Sequence, residues 1–565
     1  MRTKKAVLFL IIIGVVVYFN SLFNGFVWDD EEQVLNNVLV HSITNLPAFF
    51  SGSTFNTGGS GGMGGLYYKP LMPVSFSLLY SIFGPNPFFF HLFQVSLHIA
   101  NAILVFLLFR HFFKGLAFFP ALIFLIHPIN VEAVVYSAAL QDTLFLLFGM
   151  LALLFTVNQN LGNLKNACIL AFLLTLSLLS KETGVVFIIL TILYAAIFKK
   201  REVIASVIAV LTTASIYSLL RFGLAGIFFN KHGLSPITIL SFPERLQSIP
   251  KVIYFYLKTT VFPYDLAISQ HWVVKTTTFN DFYLPLILIT LVGLIFLFVF
   301  FFLRHKHSWN SAPYLFFLAW FILGIGIHAQ IVPLDMTVAD RWFYAPIVGL
   351  LGMAGIVLNE LRVKSAEFRI VGLILITLLI TGLSARTMVR NTNWKDGLTL
   401  YGHDIQITRD NFDLENNFGV ELYRAGRFDE AEAHFQKSTV LAPQWWTNWN
   451  NLGAIVERKG DYQKAKGYYQ KAVDNGSYYL AYENLANIHL FRDNNPQKAK
   501  EFTEDSLQKL PLNPKLWLIL ALSEYQLGNT QKALEASRQA YSLSQTEQTF
   551  YVYSHLSHDL PLEIK

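Results

Sequence analysis

Long apolar runs broken by short polar connections recur along this chain from Ala6 to about residue 385. A run of that kind must satisfy its own backbone hydrogen bonds in an apolar setting, which a helix does within one segment. The runs read as helical spans at 6–19, 87–109, 115–137, 140–158, 164–180, 183–198, 203–220, 282–303, 311–333, 342–360 and 367–385, about eleven in all. Composition agrees: 53% of the 565 residues are hydrophobic, only 14% are charged, and mean hydropathy is +0.43. Those values exclude an ordinary soluble enzyme. The apolar Met72–Phe83 is too short to cross and reads as an interfacial helix, and 246–262, interrupted by Lys251 and Lys258, is placed at the outer interface.

Basic residues set the orientation. Arg2, Lys4 and Lys5 precede the first span, and no small-residue cleavage site follows it, so it reads as a retained anchor with a cytoplasmic N-terminus. The connections then expected inside carry Arg110 and Lys114, Lys165, Lys199-Lys200-Arg201, Arg304 and Lys306, and Arg362 and Lys364. The first loop (20–86), which holds Asp29-Asp30-Glu31-Glu32 and the glycine-rich Gly58 to Gly65, then falls outside, as does everything after the last span. The net charge of +6 is a matter of topology, and no basic patch points to nucleic acid. The single cysteine, Cys168, lies in an apolar run and excludes disulfides.

From about residue 411 the chain turns polar and periodic. Gly426, Gly460, Asn494 and Gly528 stand 34 apart, as do Ala431, Ala465, Ala499 and Ala533. Gly419 and Gly453, Trp449 and Trp517, and Pro443 and Pro511 complete a tetratricopeptide pattern of paired helices. The expected architecture is therefore all-α. It comprises a polytopic transmembrane domain (1–395), a linker (396–410), a four-repeat solenoid (411–547) and a C-terminal tail (548–565). A solenoid of this kind presents a concave face to an extended partner.

Sorting polar residues by side gathers a cluster at the outer face: Asp29 and Asp30, Lys69, His127 and Glu132, Gln141 and Asp142, Lys181 and Glu182, and Asp340 and Arg341. Carboxylates supply general-base character and cations hold phosphate. Charges facing lipid are costly, so a shared cavity is the economical placement. Each residue also has a structural reading. Lys181-Glu182 and Asp340-Arg341 could be local pairs, and His127-Pro128 could simply end a helix. His91 and His98 share a helix face but lack a third ligand, which favours buried hydrogen bonding over metal.

Six motifs resemble those of the transmembrane-and-TPR O-mannosyltransferases, in the same order and followed by the same repeats. They are Phe26-Val27-Trp28-Asp29-Asp30, Tyr68-Lys69-Pro70-Leu71, His127-Pro128-Ile129-Asn130-Val131-Glu132-Ala133, Ser180-Lys181-Glu182-Thr183-Gly184, Ala339-Asp340-Arg341-Trp342-Phe343-Tyr344-Ala345-Pro346, and Arg390-Asn391 with Trp394. The resemblance implies a GT-C glycosyltransferase with an inverting displacement at the extracytoplasmic face. The donor would be a polyprenyl-phosphate-linked sugar, mannose among the candidates, and no metal or other cofactor would be needed. It implies Asp29 and Asp30 as the catalytic pair, with Arg341, Lys181 and Lys69 on the donor phosphate. His127, Glu132, Gln141, Asp142, Glu182, Asp340 and Tyr344 would line the cavity, and a protein or peptide acceptor would be held by the repeats. Two departures bear on specificity. Lys69 stands where relatives often have arginine, and Leu140-Gln141-Asp142 stands where many have Gly-Arg-Ala-Asp. The short array and sparse cysteine suit a bacterial relative in the inner membrane. The competing expectation is a non-catalytic, membrane-anchored TPR scaffold. A transporter fits less well, since no repeat of spans is apparent.

Overall fold

A computed structural model describes residues 3–56, 66–228, 235–306, 308–361, 366–476 and 478–563. The glycine-rich Gly58 to Gly65 and the basic residues Arg2, Arg362 and Lys364 lie outside the described residues. The described residues are predominantly helical and form an integral membrane unit ending at Thr408, followed by a TPR unit from Arg409.

Among the described residues, seven helices are long and apolar enough to cross a membrane: Thr3–Phe23, Pro87–Phe112, Ser137–Asn158, Lys200–Leu224, Phe279–Lys306, Trp309–Gly326 and Ile370–Asn393. An eighth expected position holds a pair, Phe118–Ile126 and Pro128–Val135, bent by 51° where Pro128 interrupts the helix. The other three expected positions hold shorter apolar helices, Leu164–Ser180, Glu182–Phe198 and Pro346–Glu360. The run expected as one span at 311–333 stops at Gly326, and residues 327–339 form an irregular loop with Gln330 at φ 63°. The polar side chains of His328 and Gln330, both bonded to nearby carbonyls, fix that loop. Leu71–Phe83 is a thirteen-residue helix. Phe242–Val261, capped by Ser241 and Glu244, is too polar to count among the spans.

The two ends of the bundle differ in chemistry. At one end, basic connections meet: Lys199 Nζ donates to the Gln159 carbonyl at 2.7 Å, and His111 lies 3.2 Å from Tyr194 Oη. The first loop closes the other end. Asn20 Nδ2 donates to the Met388 carbonyl, Asn24 Nδ2 to the Asn391 carbonyl, and Gly25 N–H to the Lys395 carbonyl. Asn391 Nδ2 returns bonds to the Val17 carbonyl and Asn20 Oδ1, so the first and last spans are laced together.

Residues 396–410, expected as a linker, are mostly a helix (Gly397–Ile407) that belongs to the membrane unit. Asp396 caps it by accepting from Thr399 N–H at 2.8 Å. Its Asp404 forms a buried two-pronged pair with Arg390 at 2.7 and 3.0 Å and accepts from Ile268 N–H.

The TPR unit stacks helix pairs 412–424 with 428–441, 446–458 with 462–475, 479–492 with 496–509, and 514–526 with 530–543. Gly426, Gly460, Asn494 and Gly528 each take positive φ at the turn inside a pair, which accounts for their 34-residue spacing. A Cβ added at Gly453 would sit 2.6 Å from the Tyr469 ring, so only glycine lets those helices meet. The expected C-terminal tail instead contributes a further helix, Glu547–Ser557, whose Val552 and Leu556 complete the apolar core of the last repeat.

Candidate active site

The acidic pair is held by an unusual stretch of backbone. Trp28 adopts φ 56°, a left-handed conformation that bulky side chains rarely take and that costs of order 1–3 kcal/mol. Its indole stacks on Tyr136 (5.5 Å between centroids, 14° between planes), and the opposite contact of Tyr136 is Trp394 (5.6 Å, 29°). The neighbouring residues, Asp29 and Asp30, are thereby presented differently. Asp30 is fully buried, with Oδ1 accepting from Ala138 N–H at 2.6 Å and Oδ2 from Val27 N–H at 3.2 Å. Asp29 is only partly buried; its Oδ2 accepts from Tyr136 Oη at 2.7 Å, and Oδ1 has no hydrogen-bond partner among the described residues.

The surrounding charges separate the pair further. Burial raises the Asp29 carboxyl to about 6, the Tyr136 hydroxyl and Arg341 pull against that rise, and Asp335 and Glu32 add to it. Burial pushes Asp30 to about 8 against the backbone N–H groups of Ala138 and Val27. At neutral pH Asp29 is the ionised member, which is the condition for a base. Asp30 is an anchor. Glu31 and Glu32 open the one-turn helix Glu31–Leu35, which Gln33 ties to Asn56 through two hydrogen bonds.

The cations expected on phosphate fall into two classes. Arg341 is nearly buried and clamped by Glu132, which accepts from both its guanidinium and its backbone N–H. Lys181 Nζ lies 2.5 Å from Asp142 Oδ1, and Asp142 Oδ2 has no hydrogen-bond partner among the described residues. Lys69, partly buried, has no ion pair among the described residues and rests over the Tyr67 ring at 4.4 Å. Burial lowers its pKa, with Glu182 opposing. Thr54 sets its position, accepting from Lys69 N–H at 2.8 Å through Oγ1 and donating to the Tyr67 carbonyl.

Glu182 pairs with Arg221 at 2.8 Å. Asp340 is buried beside Glu132 and Arg390; burial, reinforced by Glu132, holds its carboxyl well above the usual range, and its Oδ1 has no hydrogen-bond partner among the described residues. Gln141 is partly exposed at the start of Leu140–Asn158. Two expected cavity residues sit in the packing instead. His127 bonds the Thr260 carbonyl and Ile129 N–H, and Tyr344 Oη bonds His98 and Asn101. Among the described residues no group of three or more His, Cys, Asp or Glu side chains is placed to hold a metal ion.

Three participants went unmarked in the sequence. Asp335, in the 327–339 loop, accepts from Tyr67 Oη at 3.3 Å, and its charge bears on Asp29, Lys69 and Arg341 alike. Arg221 and Asp335 carry charge at ends of spans that the sequence reading expects outside, so the same sorting by side that gathered Lys181 applies to both. Tyr136 is neutral and gave that test nothing to register.

Residues 69–222 match the dolichyl-phosphate-mannose-protein mannosyltransferase family, and residues 416–479 match a tetratricopeptide repeat family. A protein O-mannosyl-transferase of Caenorhabditis elegans is 24% identical over 78% of this chain and 63% of its own length. The human protein O-mannosyl-transferase TMTC3 is 24% identical over 77% of this chain and 51% of its own. This chain thus spans between half and two thirds of the length of those relatives. Among solved structures, ArnT from Cupriavidus metallidurans bound to undecaprenyl phosphate aligns with 90% of this chain and 81% of its own at 12% identity and a TM-score of 0.41.

Proposed function

We propose that this O-mannosyltransferase-like membrane protein with TPR repeats is a GT-C glycosyltransferase. It would move one sugar, with mannose the leading candidate, from a polyprenyl phosphate to a hydroxyl of a protein. The observation that carries this reading is the division of the acidic pair. Asp30 spends both oxygens on backbone, while Asp29 keeps one oxygen unbonded beside Arg341 and Asp335. The likeness to protein O-mannosyl-transferases supports the same chemistry.

In the proposed step Asp29 Oδ1 takes the proton of the acceptor hydroxyl as that oxygen forms its bond to C1 of the sugar. The bond from C1 to the phosphate oxygen breaks, and its electron pair leaves with the lipid phosphate. Lys69 meets that charge directly, having no carboxylate to leave first; Arg341 and Lys181 add to the positive field while held by Glu132 and Asp142. Attack opposite the leaving phosphate inverts C1. The basic connections at the far end of the bundle support a cytoplasmic placement there, and with it an extracytoplasmic site and repeats. The repeats would hold the acceptor protein, so that weak binding at the site suffices.

Asp29→Asn tests the reading. With purified full-length protein and a polyprenyl-phosphate-linked mannose, transfer should fall by at least about 100-fold. Transfer at the wild-type rate would remove Asp29 from the chemistry, and loss of glycosylation in neither the variant nor a deletion strain would favour a scaffold.

A further inference from the structure

The stretch Tyr136–Ala138, where the broken helix gives way to the span Ser137–Asn158, touches both members of the acidic pair: Tyr136 donates to Asp29 through its hydroxyl, and Ala138 donates to Asp30 through its backbone N–H. That segment is itself pinned, because Gln94 Nε2 donates to the carbonyls of Ala133 and Tyr136 at 2.8 and 2.7 Å. The Tyr136 ring cannot swing, since Trp28 stacks on it and Trp394, fully buried, stacks on it as well. The ring is thereby held with its hydroxyl 2.7 Å from Asp29 Oδ2.

We propose that Tyr136 is the positioning residue of this site, committing Asp29 Oδ2 by a fixed hydrogen bond so that Oδ1 alone is presented to the acceptor. The proposal rests on the reading of Asp29 as the base. It has two consequences. A carboxylate with one oxygen tied rotates less freely, which narrows the directions from which Oδ1 can take a proton. A donor on the ionised form also holds the carboxyl ionised at a pH where burial would otherwise protonate it. The other titratable or charged groups facing Asp29 are Arg341 from the turn at 340–343, Asp335 from the 327–339 loop, and Asp30 and Glu32 from its own loop. Of these only Arg341 is cationic, and it is already claimed by Glu132. Without the tyrosine hydroxyl, three carboxyl groups act against one shared arginine.

The test compares variants of the full-length protein using a short polyprenyl phosphate mannose and a serine- and threonine-rich peptide. Tyr136→Phe keeps the ring stack and removes the donor. It should retain the thermal midpoint and donor KM, lower kcat near pH 6 by about tenfold, and move the acidic limb of the pH–rate profile up by about one unit. Placing 3,5-difluorotyrosine at 136 gives a stronger donor with the same shape and should move that limb down. In an Asp29→Asn background the phenylalanine substitution should change nothing further. An unshifted acidic limb in both Tyr136 variants, with Asp29→Asn inactive, overturns the positioning role and leaves the base intact. A fully active Asp29→Asn overturns the base itself. If Tyr136→Phe does not fold, the fluorinated residue decides alone.

Discussion

A base that takes a proton in a defined direction needs one oxygen held and one free, and Asp29 has that arrangement while its neighbour does not. The pH dependence follows. Asp29 must be ionised to act, and its carboxyl titrates at about 6, so kcat/KM should lose about tenfold for each unit that pH falls below that value. A pH–rate profile with no acidic limb between pH 5 and 7 would contradict it. The cations make a second prediction. Lys69 has no carboxylate partner, so Lys69→Ala should raise donor KM by about tenfold with stability changed by less than about 0.5 kcal/mol. Glu132→Ala leaves a nearly buried Arg341 uncompensated and should cost both activity and about 3–5 kcal/mol, read from thermal unfolding in detergent. At this scale the sequence exposes charges but not their partners. Asp29, Lys69, Lys181 and Arg341 are visible as charged groups at span ends, whereas which of them is neutralised depends on Glu132 and Asp142 arriving from other helices.

Among elements, the helix Gly397–Ile407 is the one that sequence composition disguises. Its residues are polar enough to pass for a linker, yet Asp404 is buried against Arg390 and the Ile268 backbone. Burial alone would raise the Asp404 carboxyl, but Arg390 outweighs it and holds it below the usual range. Asp404→Ala should therefore lower stability by about 3–5 kcal/mol, measured as a fall in the thermal midpoint of the full-length protein. The Asp396 cap was a readable sign of this helix; its pairing was not, because Arg390 sits on a different helix. The TPR helices were legible for the opposite reason. Their geometry repeats, so the demand for positive φ at 426, 460, 494 and 528 is written four times at one interval. The break at His127-Pro128 was legible as punctuation, but the 51° bend that brings Glu132 towards Arg341 was not.

For the whole molecule, the unit boundary at Thr408 predicts where the chain can be divided. A truncation after Thr408 retains Asp404 and should give a monodisperse membrane protein that, on the proposed function, still cleaves a polyprenyl-phosphate-linked sugar while losing transfer to a protein. A truncation after Asn393 removes Trp394, Lys395 and Asp404 together and should give little folded protein by size-exclusion chromatography. Equal behaviour of the two would contradict the assignment of helix 397–407 to the membrane unit.

The lacing of Asn20, Asn24 and Gly25 to Met388, Asn391 and Lys395 also has a consequence in time. A chain emerging from the ribosome presents its acidic loop first, hundreds of residues before the partners that fasten it. Trp28 has no Trp394 behind Tyr136 until that late stretch is made. The acidic pair can meet Tyr136 and Ala138 early, but the base of its loop stays unfastened through most of synthesis, and the last span acts as the closing stitch.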